Sequence, residues 1–473
     1  MAGSPAVTPE VSCSGGPTMN PSGGSTRVTK VWGDESDVVV AAVDWAARRV
    51  VRPSDPRATA RPASELAAAT GRTVTAEGIG GAAALELFDR VLEPATRAQD
   101  SALNLAYIPS APTAAAVAFD LVTSAANIFG GTWEAGAGAI FAENEALAWI
   151  VGLLGWPATA GGCFVAGGTV GNLSALAAAR EYARRRVGRP TSGWRVACTS
   201  EAHSSIRAAA RILDVDVLEV EVDHRGHLTG DALQRAVAGA DDVFAVVATA
   251  GTTNAGVIDD LDDVADVCAR HELWLHVDGA YGGAGLAAPS VRGRFAGVER
   301  ADSFIVDPHK WLFAPYDCCA LLYRKPELAR ATHAQRAGYL DEIDREAWNP
   351  ADLAIHLSRR ARGLPFWFSL ATHGTDRYAA AIEQTLATAA TVAKAIRGSS
   401  HLRLIKEPEL SVLLFERCGW TGSDYRAWSH RNAAEGVILC LPTRWQDQIA
   451  FRLAFVNPDT KAEEVIEILE TLR

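Results

Sequence analysis

The chain has 473 residues, of which 48% are hydrophobic and 21% are charged, a composition typical of a globular protein with a large core. Its formal net charge of −11 argues against nucleic acid as the main partner, because such partners select basic surfaces. The eight cysteines are irregularly spaced and there is no signal peptide or membrane-length apolar run, so the sequence favours reduced thiols and a cytoplasmic protein.

The chain divides into four predicted parts. Residues 1–30 are rich in Ser, Gly, Pro and Thr, and we expect a disordered tail there. A helical segment is predicted over 31–100, with helices at 37–49, 62–69 and 82–97. We expect a large domain over 101–375 and a small C-terminal α/β domain over 376–473.

A glycine-rich turn in residues 161–180 has the features of a phosphate-binding site. A strand is predicted to run into Gly167, Gly168 and Thr169, with a helix from about Asn172. The N-terminus of a helix offers free N–H groups to an anion, and glycines let the backbone approach it. The pattern is neither GxGxxG nor a P-loop, so a nucleotide is disfavoured. An ordinary strand-to-helix turn explains the pattern equally well.

His203 follows a predicted strand over 195–198. An imidazole at the end of a strand can stack on a flat ring, although capping the next helix is the commoner role of an isolated histidine. Another apolar strand is predicted over 243–249, and a helix after Asp259. Strands alternate with helices from Gly161 to Leu322, which predicts a mostly parallel sheet with functional residues at the C-terminal ends of its strands.

Asp278 ends an apolar strand that begins at Trp274, and small residues follow it at Gly279, Ala280 and Gly282. A carboxylate above a floor of small side chains suits a flat ring, such as the pyridine of pyridoxal 5′-phosphate (PLP), whose nitrogen needs an acidic partner. A turn or helix-capping aspartate is the commoner reading of an Asp-Gly pair.

Lys310 follows a predicted strand over 303–306, in the run Asp307-Pro308-His309-Lys310-Trp311. We expect the apolar surroundings to disfavour its ammonium form and so provide an amine nucleophile for Schiff-base formation with a carbonyl or with PLP. A lysine alone is more often a solvated charge. The interval of roughly thirty residues from Asp278 allows one crossover and the next strand, which brings both residues to one edge of the sheet.

The runs HVDGAYGG (276–283) and ADSFIVDPHKW (301–311) together closely resemble the PLP-dependent amino-acid decarboxylases, which include aromatic-amino-acid, histidine and glutamate decarboxylases. The resemblance extends from about Leu103 to the C-terminus. It implies an α/β fold of type I, like aspartate aminotransferase, with a mostly parallel central sheet in the large domain. It also implies PLP as cofactor and decarboxylation of an L-amino acid to its amine through a Schiff base on Lys310.

The resemblance further implies individual roles and a homodimer with its active site at the interface, where the N-terminal helices pack on the partner subunit. No metal site is expected. The implied catalytic residues are Lys310, His203 and Asp278. The implied cofactor-binding residues are Gly168 and Thr169 at the phosphate, His203 on the ring, Thr253 at the ring hydroxyl, Asp278 at the pyridine nitrogen, Ala280 below the ring, and Asp307, His309 and Lys310. The implied substrate-binding residues are Arg452 at the carboxylate, with Tyr107, Ser110 and Trp133 lining the pocket.

The chain departs from the family in the segment 335–350, where the family often has a mobile loop with a tyrosine that protonates the substrate carbon. The matching position falls near Asn349, and Tyr339 lies upstream. His203 or another donor is expected to return the proton. Two alternatives stay open: a carbon–carbon lyase or aldehyde-forming oxidative decarboxylation on the same scaffold, and a binding protein without catalysis. Arg359, Arg360 and Arg362 are expected to form ion pairs at a sheet edge.

Overall fold

The computed structural model describes residues 36–52, 54–335 and 347–472. The tail predicted over 1–30, and Tyr339 with most of the predicted loop, lie outside the described residues.

An N-terminal group of helices precedes the main sheet. These helices are Ser36–Val51 (α1), Ala63–Thr70 (α2) and Gly81–Leu87 (α3), the last continuing as a π-helical turn over Phe88–Leu92. The third helix ends earlier than the predicted 97, because Pro94 has no N–H with which to continue the helical hydrogen bonds. No residue of α1, α2 or α3 is buried, so the apolar side chains of this layer remain open in the single chain.

The central part of the chain alternates helices and strands, as the apolar periodicity predicts. Its helices are Ala114–Ala126 (α4), Trp133–Leu153 (α5), Gly168–Val187 (α6), Ser204–Ile212 (α7), Gly230–Val237 (α8), Leu261–Arg270 (α9), Pro289–Arg292 (α10), Pro326–His333 (α11) and Leu364–His373 (α12). Its strands are Gly161–Val165 (β1), Arg195–Thr199 (β2), Asp216–Val220 (β3), Val243–Thr249 (β4), Trp274–Asp278 (β5), Ser303–Val306 (β6) and Cys319–Tyr323 (β7).

These seven strands form one sheet in the order β1-β7-β6-β5-β4-β2-β3. Strands β2 to β6 pair in parallel, while β7 is antiparallel to both of its neighbours. All residues of β4, β5 and β6 are buried, which explains their continuous apolar sequences. Because parallel strands end at one edge, the residues that follow β4, β5 and β6 lie side by side. The predicted α/β class with a mostly parallel sheet is confirmed.

The C-terminal part forms a second, antiparallel sheet. Its helices are Thr375–Gly398 (α13), Gly422–Ala434 (α14) and Ala462–Glu470 (α15), and its strands are Leu402–Leu404 (β8), Val412–Arg417 (β9), Leu441–Trp445 (β10) and Gln448–Ala454 (β11). The strand order is β10-β11-β9-β8. Phe415, Trp428 and Phe451 pack in the core between this sheet and its helices.

Arg359 forms a buried ion pair, rather than the sheet-edge pair expected from the sequence. Its Nη2 donates to both carboxylate oxygens of Glu143, at 2.6 and 2.8 Å, and both side chains are almost fully buried. The same carboxylate accepts the N–H of Gly363. This pair joins α5 to the segment before α12. Arg360 and Arg362 instead form more exposed pairs with Asp120 and Asp317.

We predict that Glu143→Gln lowers the free energy of unfolding by about 3–5 kcal/mol, because it leaves the Arg359 charge buried without its partner. The matched control is Glu86→Gln, which breaks the exposed pair between Glu86 and Arg90 and should change the same quantity by about 1 kcal/mol or less. Urea denaturation followed by circular dichroism measures both. Equal effects of the two substitutions would contradict a stabilising role for the buried pair.

Candidate active site

Lys310 lies in the turn that follows β6, beside the buried carboxylate of Asp307. Its Nζ is 2.9 Å from Asp307 Oδ2, and its side chain is 21% exposed. Burial on its own would lower the pKa of Lys310, but the Asp307 charge outweighs it, and the pKa is raised. The sequence-based expectation of a disfavoured ammonium was therefore wrong for the cofactor-free chain: Lys310 is a paired cation.

Asp307 and His309 form the rest of this charged group. Burial opposes ionisation of Asp307, but the Lys310 charge outweighs it and lowers the pKa of Asp307, while burial lowers the pKa of His309. Asp307 Oδ1 makes no hydrogen bond within the described part of the chain. His309 Nδ1 lies 3.1 Å from the N–H of Cys318, and its Nε2 is 3.7 Å from Asp307 Oδ2. A Cβ on Gly167 would lie 3.8 Å from the His309 ring, so this histidine packs below the turn into α6.

Asp278 ends β5 and is a buried carboxylate with no basic partner. Its Oδ1 accepts the N–H of Ala280 at 3.0 Å, and its Oδ2 accepts from Asn172 Nδ2 at 2.9 Å. Within the described ranges, no arginine, lysine or histidine forms a salt bridge with it. A buried negative charge held only by neutral donors can accept a further cationic N–H group.

Helix α6 begins at Gly168, earlier than the predicted start near Asn172. The extended Gly167 caps the helix without a side chain, and its carbonyl accepts the N–H groups of Val170 and Gly171. Thr169 is therefore in the first turn, where it is exposed. A Cβ on Gly168 would lie 3.2 Å from Asp307 Oδ2 and 3.4 Å from the Ala280 Cβ. The start of α6 thus adjoins the residues that follow β5 and β6.

His203 is exposed and caps α7, which is the commoner role of an isolated histidine before a helix. Its Nδ1 accepts the backbone N–H of Ser205 at 3.3 Å. Thr253, in the loop after β4, is also exposed. Both residues follow strands that end at the same edge of the sheet as Asp278, so their side chains face the open side of the site.

Arg452 on β11 has a buried guanidinium in which one donor nitrogen, Nη2, makes no hydrogen bond within the described residues. Its Nε donates to the carbonyls of Thr253 and Asn254, at 2.8 and 3.2 Å, and its Nη1 donates to the carbonyl of Tyr107 at 2.5 Å. Burial lowers the pKa of Arg452 to about 10. A buried guanidinium held by carbonyls alone is suited to bind a carboxylate.

The other three predicted pocket residues make different contacts. Tyr107 has a positive φ of 55° and is 64% exposed, and only its carbonyl is joined to Arg452. Ser110 is buried, and its hydroxyl donates to the carbonyl of Ala314. Trp133 begins α5, and its N–H donates to Asn349 Oδ1. The hydrogen bonds of Ser110 and Trp133 therefore go to neighbouring loops and not to the Lys310 group.

Sequence reasoning missed the buried polar residues behind Asp278, which are Asn172, His276 and Ser205. They form a hydrogen-bonded chain between α6, β5 and α7. The signal that could have revealed Asn172 is its place four residues after Gly168, on the same face of α6. Among the described residues there is no cluster of three or more His, Cys, Asp or Glu side chains that could hold a metal ion. Nor does any described helix have the length and hydropathy needed to cross a membrane.

Comparison with known proteins identifies what the chain resembles. The model of the pyridoxal-dependent decarboxylase conserved domain matches residues 84–417. The chain is 28% identical over 389 residues to an aromatic-L-amino-acid decarboxylase of Bacillus atrophaeus, covering 78% of this chain and 80% of that protein. It is 34% identical over 373 residues to an L-2,4-diaminobutyrate decarboxylase of Rhizobium meliloti (strain 1021), covering 76% and 74%.

The fold has a solved counterpart in a crystal structure of Oryza sativa TDC with PLP and tryptamine. The TM-score is 0.86 at 24% sequence identity, and the match covers 96% of this chain and 98% of that one. At this level of identity the comparison bears on the fold alone, and it agrees with the type I architecture expected from the sequence.

We predict that Asp307→Asn lowers the pKa of Lys310, because it removes the charge that stabilises the ammonium. Competitive acetylation of the cofactor-free chain, measured by mass spectrometry of the peptide containing Lys310, should show labelling that begins at lower pH than in the wild type. Asp302→Asn removes a carboxylate that pairs with Arg324, at the opposite end of β6, and should leave the profile unchanged. An unchanged profile in Asp307→Asn would refute the assigned pairing.

Proposed function

Because the chain belongs to the pyridoxal-dependent decarboxylase family, we propose that it removes the α-carboxylate of an L-amino acid and releases the corresponding amine. It is a PLP-dependent carboxy-lyase. The observation that carries the proposal is the buried Asp278 carboxylate, which has no salt-bridge partner among the described residues and whose charge acts on Lys310 at the same edge of the sheet.

Three features of the described residues support the fit of PLP at this place. The first turn of α6, at Gly168 and Thr169, offers N–H groups without intrahelical acceptors to a phosphate. The Asp278 carboxylate can accept a proton-bearing pyridine nitrogen. Asp307 Oδ1 is buried beside Lys310 and makes no hydrogen bond within the described residues, so it can accept one from a bound group.

Each residue then has a distinct task in the reaction. When bound, PLP supplies an electron sink for the pair left behind by the departing carbon dioxide. Lys310 would hold the cofactor through its ε-amine. Asp278 would accept the protonated pyridine nitrogen, and the small side chain of Ala280 would leave room for a flat ring. His203 would contact the ring.

The cofactor's remaining contacts come from residues around these four. Thr253 would contact the ring hydroxyl, and His309 would support the phosphate end. Asp307 pairs with Lys310 and would hold its amine in position.

Arg452 is the residue we assign to the substrate carboxylate. Its free Nη2 direction supports this role, since its other donors already bind the carbonyls of Thr253, Asn254 and Tyr107. Fixing the substrate carboxylate at Arg452 would select decarboxylation among the reactions that PLP can support. We place Tyr107 at the rim of the pocket. Ser110 and Trp133 support the surrounding loops, in keeping with their hydrogen bonds.

The proton that replaces the carboxylate comes, in this proposal, from His203 or from another group at the open side. Asn349, at the position that matches the family's loop tyrosine, is buried and accepts the N–H of Trp133. It has no acidic proton to give. The aldehyde-forming alternative gains no support from the decarboxylase relatives, and the reading as a binding protein without catalysis is set aside by the family match.

We further propose that the protein is a cytoplasmic homodimer whose N-terminal layer is covered by a second copy. The outward side chains of α1 include Val39, Val40 and Val43, and those of α4 include Leu121 and Val122. All five are exposed in the single chain, and a contiguous apolar surface of this kind marks an interface. The free cysteines, most of them buried, favour a reducing compartment.

We predict that the purified protein shows the absorbance band of lysine-bound PLP and that borohydride reduction fixes the cofactor to the peptide containing Lys310. Lys310→Ala should lose both signals, while Lys325→Ala, as the matched control, should keep them. With a panel of L-amino acids, the active substrate should yield carbon dioxide and amine in equal amounts. Aldehyde with ammonia would instead establish the oxidative alternative. If the protein showed no absorbance band of lysine-bound PLP even after PLP was added, both the amine-forming and the aldehyde-forming proposals would be refuted.

We predict that Arg452→Lys raises the KM for that substrate by about 10- to 100-fold, because loss of a charge-assisted hydrogen bond costs about 1.5–3 kcal/mol. The cofactor band should be retained. Arg444→Lys on the neighbouring strand β10, where the arginine is exposed, should leave KM unchanged. An unaltered KM in Arg452→Lys would remove Arg452 from the substrate site.

A further inference from the structure

Asn172, in the second turn of α6, is a buried side chain whose carboxamide makes three hydrogen bonds. Its Nδ2 lies 2.9 Å from Asp278 Oδ2 and 2.9 Å from Ser205 Oγ, and its Oδ1 lies 2.8 Å from His276 Nε2. Asn172 therefore connects the carboxylate at the end of β5 with the N-terminus of α7. Some groups in this series of hydrogen bonds can only donate or only accept, and they determine which atom is the donor in each bond.

The series of hydrogen bonds begins at Trp274, whose indole N–H can only donate. It donates to Ser303 Oγ at 2.8 Å, and Ser303 Oγ lies 2.8 Å from His276 Nδ1. Because Asn172 Oδ1 can only accept, His276 carries its proton on Nε2 and donates it to that oxygen, and its Nδ1 accepts the Ser303 hydroxyl proton. The ring is neutral at neutral pH, because burial lowers the pKa of His276 to about 4.

The other end of the chain fixes the orientation of the Asn172 carboxamide. Ionised Asp278 only accepts hydrogen bonds, so the NH₂ group must face it; the reverse orientation would set oxygen against oxygen. The second N–H of Asn172 then goes to Ser205 Oγ. The Ser205 hydroxyl proton is left for His203 Nδ1, at 2.8 Å, which also accepts the Ser205 backbone N–H.

We propose that Asn172 is a positioning residue that acts on both sides of the cofactor site: it holds Asp278 in place and, through Ser205, fixes the tautomer of His203. His203 Nδ1 accepts from Ser205, so the ring proton is on Nε2 of this exposed side chain. His203 thus presents an N–H donor to whatever lies over it. The inference deepens the proposed function and rests on it for the identity of the bound ring.

The tautomer can be tested on the cofactor-free protein. We would record ¹⁵N NMR spectra of a deuterated, histidine-labelled chain and assign His203 with His203→Gln. The expected result is a protonated Nε2 and an unprotonated Nδ1 in the wild type. Ser205→Ala removes the hydroxyl that lies between Asn172 and His203 but keeps the Asn172–Asp278 bond, and it should shift both ring nitrogens toward a mixture of tautomers. A protonated Nδ1 in the wild type, or unchanged shifts in Ser205→Ala, would overturn the inference.

The branch to Asp278 needs a separate variant. Asn172→Leu is of similar size but has no donors, and it should weaken PLP binding by about 10- to 100-fold. Ser205→Ala keeps the Asn172–Asp278 bond and should bind PLP within about threefold of the wild type. Equal affinities of Asn172→Leu and the wild type would also overturn the inference. A wild-type chain that binds no PLP would defeat the proposed function, whereas the NMR result would still decide the tautomer.

Discussion

The negative charge of Asp278, buried at the end of β5, is the constraint on which the arrangement of the site depends. A carboxylate inside a protein is tolerated only where donors surround it. Those donors are the N–H of Ala280 and the amide of Asn172, and the second requires α6 to lie directly against the sheet. The contact is so close that a Cβ on Gly171 would meet Ile305 Cγ2 at 2.9 Å. The Asp278 carboxylate therefore needs α6 to lie close against the central sheet, and this contact also positions the first turn of α6.

The second buried carboxylate, Asp307, behaves differently because it has a cation beside it. Its pairing with Lys310 satisfies both charges before any cofactor is present. Within the described residues, one of the two buried carboxylates is therefore paired with a cation, and the other is held by neutral donors. This asymmetry gives the two aspartates different roles although both follow buried, parallel strands.

Much of this arrangement could be predicted from the sequence, because buried parallel strands are continuous apolar runs and the polar residues that end them are easily recognised. Asp278 and Lys310 were found in this way, and β4 has the predicted bounds. The pKa of Lys310 could not be foreseen, since it depends on where the Asp307 carboxylate points. Nor could the partners of Asn172, which lie 33, 104 and 106 residues away along the chain. The early start of α6 was missed because glycines give little local preference for helix.

The carbonyls that hold Arg452 come from two distant segments, the loop after β4 and the turn at Tyr107, while the arginine itself belongs to the second sheet. A free arginine side chain has about 2 kcal/mol of rotamer entropy to lose when it becomes ordered. Here that loss is incurred when the chain folds. In the proposed function, a substrate carboxylate therefore meets a guanidinium that is already immobile, and its binding free energy is not reduced by the ordering of the receptor.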